Sequence, residues 1–382
     1  MSSTIQTREQ LPEVWISQVQ AWHYRLPIWD LLATRGAGRY RLKVYAGLKN
    51  GKALGASQSR DYLYEWPEHK DHVHPFTLLP TLLEVERPAV LISLASPKVS
   101  SCWRLPRVCD RLNIQLIGWS KVTTLSRLRY IPNWILRRLK GQFYRRFSSL
   151  VVYGQSSRRE LLTMGVKNNR IRVAQNTVDT GRDRAKLHAL SNELLREKGL
   201  DHARIILVIG RMDQDKRPTD LLDVWPNLSQ LDERLHLVYA GSGPLENLVR
   251  ERAQSLPRVT VLGRVPEGHD YAWISAAEVN VQMGAVGLAI NQSMALGTAT
   301  VVADEFGPDS ELIVHGETGW RFPRGDLNAL ESTLKEVITN DRSRSKVMVA
   351  AQKLLQEEVT IERMVDTFDE AISEALTRRR KE

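Results

Sequence analysis

With only two cysteines, Cys102 and Cys109, in 382 residues, the chain has no disulfide framework. A reducing compartment is the simpler reading. No run of about 18 uncharged apolar residues occurs, which excludes a membrane-spanning helix. The opening MSSTIQTREQLPEVW has no apolar core of the kind that directs secretion. Internal repeats and low-complexity segments are absent. No GxGxxG follows a strand with an acidic residue at the proper distance, which argues against a dinucleotide oxidoreductase. The expected location is cytoplasmic, with peripheral contact at the inner face of the cell membrane left open.

Charge is missing from one stretch in particular. GAVGLAINQSMALGTATVV, residues 284–302, holds no Asp, Glu, Lys, Arg or His. Elsewhere basic residues dominate: 54 Lys and Arg against 44 Asp and Glu, a formal charge of +10. Such an excess favours anionic partners such as phosphates, nucleic acid or anionic lipid, and selects none of them. An apolar share of 42% is enough for real cores, and the length suggests two domains.

Short β-rich runs alternate with longer helical patterns. YRLKVYA (40–46), AVLISLA (89–95), IQLIGW (114–119) and SLVVYG (149–154) read as strands of the first half. RIILVIG (204–210), LHLVYAG (235–241), VTVLG (259–263), EVNVQM (278–283) and TATVVA (298–303) read as strands of the second. Nearly continuous apolar strands separated by helices indicate parallel sheets covered on both faces. Each half is therefore expected to be an open α/β domain, with the boundary between Thr177 and Asp201. The last long helical pattern, roughly 333–377, breaks around Val359 and Thr360 and could pack back on the first domain.

In the second half, a strand runs into Gly210 and then Arg211 and Lys216. Arg211 offers a rigid fork of donors and Lys216 a mobile point charge, a pair suited to a diphosphate. The plainer alternative is a solvated turn in which Asp213 and Asp215 pair the cations. Gly241 and Gly243 follow the next strand, as a ligand loop or only a tight strand-to-helix connection. Gly284 and Gly287 permit a further turn, and a helix is expected from near Leu288 to Gly297. The free amides at its start can stabilise a phosphate without a charged side chain. Glu311 reads either as a contact to a sugar hydroxyl or as a surface cap.

Together these pieces resemble the donor half of a retaining nucleotide-sugar glycosyltransferase of the fourth glycosyltransferase family. GRMDQDK, YAGSGPLE, VLGRV, VGLAINQSMALGTATVVAD and ELIVHGETGW stand in the family's order and spacing over most of residues 204–326. WHYRLPIWDLLATRG (22–36) and GVKNNRIRVAQNTVDT (165–180) resemble its first half more loosely. The resemblance implies the GT-B fold: α/β, two Rossmann-like domains with parallel sheets facing across a cleft. It implies an acceptor-binding domain over 1–185, a nucleotide-sugar donor-binding domain over 186–355, and a terminal helix over 356–382. It implies transfer of a sugar, of hexosyl type, from a nucleoside diphosphate sugar to an acceptor hydroxyl with retained configuration. Arg211 and Lys216 match the catalytic diphosphate pair. Gly210, Gly241, Gly243, Gly287, Leu288, Gln292 and Glu311 fall at donor-binding positions. His23, Arg25, Lys121 and Asn176 are the acceptor-side candidates. No tightly bound cofactor and no metal are expected.

Two departures qualify the resemblance. The family pattern carries two glutamates in this region; here Gly284 occupies the first position and Gln292 the second. Gln292 keeps donors and an acceptor for ribose hydroxyls, whereas Gly284 is expected to leave space where the pattern has a carboxylate. A subset of the family carries this glycine followed by VGL. Members of that subset often have a histidine just after the strand of Gly118 and Trp119; here Ser120 and Lys121 stand there. Lysine is a poor general base unless its pKa falls. Retaining transfer in which a leaving phosphate oxygen takes the acceptor proton on the same face needs no such base.

Other signals compete. His69, His72 and His74 invite a zinc reading, but their polar, turn-like flanks favour a solvated loop. Residues 121–147 carry eight basic side chains and no acid, interleaved with Trp134, Ile135, Leu136, Leu139, Phe143, Tyr144 and Phe147. That suits a surface meeting anionic lipid, or else a helix packed on its own domain. No nucleic-acid motif accompanies the charge. The expected partners are a nucleotide sugar and a glycan or lipid-linked acceptor, in surface polysaccharide or glycolipid synthesis; the oligomeric state is left open. A catalytically inactive GT-B module and a nucleotide-sugar epimerase are the alternative functions.

Overall fold

The structure, a computed structural model, describes residues 11–379 apart from 55, 57, 67–74, 123–132, 180, 182, 267 and 305–309. His69, His72 and His74, residues 123–132 of the basic segment, and residues 305–309 before Ser310 therefore lie outside the described residues. The chain divides into two compact units, residues 1–176 with 361–382, and residues 177–360.

The first unit holds a seven-stranded sheet: β1 (Glu13–Gln20), β2 (Arg41–Gly47), β3 (Leu63–Glu65), β4 (Val90–Leu94), β5 (Gln115–Ser120), β6 (Ser149–Val152) and β7 (Ile171–Val173). The order is β3-β2-β1-β4-β5-β6-β7, and every pairing is parallel. The second unit holds β8 (Arg204–Ile209), β9 (Leu235–Ala240), β10 (Val259–Gly263), β11 (Ala277–Gln282), β12 (Ala299–Ala303) and β13 (Trp320–Phe322). Its order is β10-β9-β8-β11-β12-β13, again all parallel. Parallel strands need crossovers, and helices supply most of them, so the middle residues of the central strands are buried.

β1, the strand from which the first sheet grows in both directions, is polar at its carboxyl end. Ser17 stays buried there because its hydroxyl donates to the Ser93 hydroxyl of β4 at 2.8 Å. The helical pattern read as one element over 333–377 is three helices: Leu327–Thr339, Asp341–Glu357 and Ile361–Arg379. An additional break falls at Asn340, whose side chain accepts from the Ser343 amide at 3.0 Å and caps the second of them.

The last helix belongs to the first unit. Its Met364, Val365, Phe368 and Ile372 are buried in that unit's core. Phe368 meets Trp119 of β5 edge-on at 4.8 Å between ring centroids. Arg39 pairs with Asp369 at 2.6 Å, and Arg35 with Asp366, fastening the same helix to residues 26–39.

Candidate functional site

In the second unit, three strands end beside one another and their exit loops are laced by backbone. The Gly210 amide donates to Ala240 at 2.9 Å, that of Gly241 to Gly263 at 2.7 Å, and that of Met212 to Ser242 at 3.0 Å. Gly210 and Gly241 adopt φ of 137° and 140°, which side chains rarely allow. A Cβ on Gly241 would collide with the Gly210 carbonyl, so these two strand ends touch main chain to main chain. A Cβ on Gly243 would likewise collide with the Met212 backbone.

The loop after Gly210 carries the two cations. Asp213 accepts from the Lys216 amide at 3.1 Å, shaping the 214–216 turn, and pairs with Arg211 at 3.2 Å. Arg211 is nevertheless 69% exposed, and a surface pair of this kind leaves most of its donors to solvent. The Lys216 ammonium donates to the Ala285 carbonyl and lies 3.8 Å from where a Cβ on Gly287 would sit. Gly210, Arg211, Met212, Lys216, Gln282 and Met283 line a small recess at this strand end.

The expected helix begins one residue later than Leu288, spans Ala289–Leu296, and ends at Gly297 with φ 77°. Leu288 sits at its N-cap without a side-chain cap bond. Buried amides hold this helix and β11 in place. Asn280 of β11 donates to the Ser293 hydroxyl of the helix at 2.7 Å, while Gln282 ties the end of β11 to β8 by donating to the Ile209 carbonyl at 3.0 Å. Neither amide was singled out from sequence, although polar residues inside the strand pattern EVNVQ are the signal that marks them.

Gln292 donates to the Asp270 carboxylate at 3.0 Å, so its amide is already oriented from the 269–276 helix. Glu311 is half-buried in the 310–312 turn. Lys216 is thus held against the 285–287 turn, while Gln292 is held from Asp270. The expectation that Gly284 leaves open space is corrected: main chain of the Asp215–Lys216 loop occupies the position its side chain would take.

In the first unit, β1 and β4 are neighbours from which the chain continues in opposite directions across the sheet, the switch point where open α/β sheets form crevices. Gln18, Gln20, Trp22, Tyr24, Arg25 and Phe76 line a recess there. The Arg25 guanidinium packs 5.2 Å from the Trp119 ring and 5.6 Å from that of Tyr153, and donates to the Tyr153 hydroxyl at 3.3 Å. His23 is tied to Leu54, backbone to backbone at 2.9 Å. Lys121 is exposed directly after β5, and Asn176 is half-buried where the first unit's chain leaves it. Ser120, beside Lys121, is buried and donates to the Ala95 carbonyl at 2.7 Å.

Residues 203–340 match the family described as Glycosyl transferases group 1. The chain is similar to two solved structures over nearly its whole length. Sucrose-phosphate synthase of Thermosynechococcus elongatus superposes with a TM-score of 0.72 at 15% identity, covering 96% of this chain and 99% of that one. HepE of Anabaena, in complex with UDP-glucose, superposes with a TM-score of 0.69 at 14% identity, covering 95% of this chain and 100% of that one.

The fold is GT-B.

A phosphatidyl-myo-inositol mannosyltransferase of Mycobacterium leprae is 26% identical over 158 residues, 40% of this chain. The match spans 42% of that relative's length. The group 1 match and this relative support a glycosyltransferase. Among the described residues no helix is long and apolar enough to cross a membrane, and no group of three or more His, Cys, Asp or Glu is placed to hold a metal.

Proposed function

We propose that the chain is a retaining glycosyltransferase that moves a sugar from a nucleoside diphosphate sugar to an acceptor hydroxyl, in surface polysaccharide or glycolipid synthesis. The observation that carries this reading is the Lys216 ammonium fixed against the 285–287 turn, beside an exposed Arg211. A diphosphate there meets two cations from one loop and backbone donors from the other. Both cations stabilise the charge that grows on the diphosphate as the bond to the sugar breaks.

In this mechanism the sugar's anomeric carbon separates from the phosphate oxygen, and the acceptor oxygen bonds to the same face. The acceptor proton passes to an oxygen of the departing diphosphate, giving a glycoside and a nucleoside diphosphate. In this reading Gln292, whose amide donates to Asp270, contacts the ribose, and Glu311 contacts a sugar hydroxyl. His23, Arg25, Lys121 and Asn176 serve the acceptor side, and the scheme uses neither metal nor tightly bound cofactor.

A lipid-linked acceptor would give the 133–144 helix a use. Leu136, Phe143, Tyr144 and Phe147 pack inward in and beyond this helix, so packing on its own unit accounts for most of the apolar residues. Trp134 and Leu139 remain outward, 67% and 45% exposed, among Arg137, Arg138, Arg145 and Arg146. That combination suits an anionic membrane surface.

Thermal-shift screening against UDP, GDP, ADP and the corresponding nucleotide sugars tests the proposal, followed by product analysis with lipid-linked acceptors. Stabilisation by one nucleotide series and a retained-configuration product are expected. No response to any nucleotide would sink the donor site; binding without turnover would leave an inactive binding module. A glycosyl–protein adduct trapped during turnover would overturn the same-face mechanism.

A further inference from the structure

Gly284 is buried, and its missing side chain is replaced by main chain from another loop. A Cβ built there falls well inside 3.0 Å of the Asp215 carbonyl oxygen and 2.9 Å from the Lys216 carbonyl carbon. Real Cβ atoms essentially never show such contacts, and here the obstruction is backbone, which cannot rotate aside as a side chain does. The same Asp215 oxygen accepts the Ala285 amide at 2.8 Å and the Arg324 guanidinium at 3.3 Å. In return, the Lys216 ammonium donates to the Ala285 carbonyl. Two consecutive residues of the cation loop thus grip the two sides of a single residue, Ala285.

We propose that Gly284 is a positioning residue that acts through Lys216. Its hydrogen admits the Asp215 peptide to the end of β11, and the docked peptide holds the Lys216 ammonium against the 285–287 turn. Any side chain at 284 excludes the docked peptide. A carboxylate at this position and a docked cation loop are therefore mutually exclusive in this chain. The loop's internal shape has a separate source, since Asp213 caps the 214–216 turn from within. Losing the dock leaves the turn formed but sets Lys216 loose.

The consequence for nucleotide affinity rests on the proposed donor site; the docking itself does not. The first measurement therefore uses the protein without ligand: hydrogen exchange at the Ala285 amide, and acylation of lysines by acetic anhydride read by mass spectrometry. In the wild type the Ala285 amide is expected to be protected, and Lys216 to acylate at least about tenfold more slowly than Lys353, which is 70% exposed. In Gly284→Ala, and more strongly in Gly284→Glu, both protections fall towards those of exposed groups. The second measurement is calorimetric titration with UDP, GDP and ADP. Gly284→Ala is expected to lose as much affinity as Lys216→Ala, and the double variant no more than Lys216→Ala alone.

Additive losses in the double variant would show that Gly284 does not act through Lys216. Unchanged protection in Gly284→Ala, or an unprotected Ala285 amide in the wild type, overturns the docking. Should both variants fail to fold, the wild-type exchange and acylation still decide it. A wild type that binds none of the three nucleotides overturns the donor-site reading and leaves the ligand-free comparison to judge the dock.

Discussion

Asn280, fully buried in β11, donates its side-chain amide to the Ser293 hydroxyl at 2.7 Å, joining the strand to the helix that follows it. Ser293 passes the bond on to the Ala289 carbonyl at 2.8 Å. Ser293→Ala strips Asn280 of this partner where water cannot replace it. A loss of about 1–3 kcal/mol of unfolding free energy is expected by urea denaturation. A change under about 0.5 kcal/mol would mean that the amide finds another acceptor.

Lys216→Ala is expected to weaken nucleoside diphosphate binding by about 10- to 100-fold, the range for a lost hydrogen bond to a charged group. Arg211→Ala is expected to cost less at physiological salt, because its side chain is largely exposed and screened. Titration calorimetry on both variants checks this. If both bind and turn over like the wild type, the diphosphate lies elsewhere.

Phe368→Ala empties a buried position against Trp119, at about 3–5 kcal/mol. Both residues belong to the first unit, so nucleotide binding by residues 177–360 is expected to outlast the loss of native tryptophan fluorescence from Trp119 on mild denaturation. Simultaneous loss of both signals at every denaturant concentration would show that the two units unfold as one.

Burial, and then the nearby Arg258 charge, hold the His236 imidazole below its ordinary pKa. Its Nε2 lies 2.8 Å from the Thr260 hydroxyl. The unfolded chain takes up this proton near pH 6.5, the folded protein only at lower pH. The stabilising share is thus complete above about pH 6.5 and is lost as pH falls towards the folded-state pKa. His236→Gln should lose less Tm than the wild type between about pH 7.5 and about pH 5. Parallel curves for the two proteins would contradict this.

For membrane contact, Trp134→Glu and the joint reversal of Arg137, Arg138, Arg145 and Arg146 to Glu should each abolish sedimentation with vesicles rich in phosphatidylglycerol. Neutral phosphatidylcholine vesicles should retain little protein. Failure of the wild type to sediment with anionic vesicles ends the lipid proposal.

The fold is legible wherever a strand is a continuous apolar run. RIILVI, LHLVYA and SLVV could be read directly because both of their faces are covered. EVWISQVQ could not: its serine and glutamines interrupt the run, although it is the strand from which the first sheet extends both ways. Its Ser17 is satisfied chiefly by Ser93 opposite, a partner 76 residues away that no local pattern displays. LYE, IRV and WRF are too short for periodicity to register. In the candidate site, the glycines and cations stood out by type and spacing. The Asp215 peptide over Gly284, and Asp270 beside Gln292, did not, because each is a contact between distant segments.

The return of the last helix to the first unit has a covalent consequence. Residues 177–360 are an insertion within the chain of the first unit, and its two ends are fastened to each other: the Thr177 hydroxyl donates to the Val359 carbonyl at 2.6 Å. The second unit is therefore a cassette with adjoining ends. Its sheet, its cation loop and the Gly284 seat all lie in one continuous segment between two neighbouring junctions.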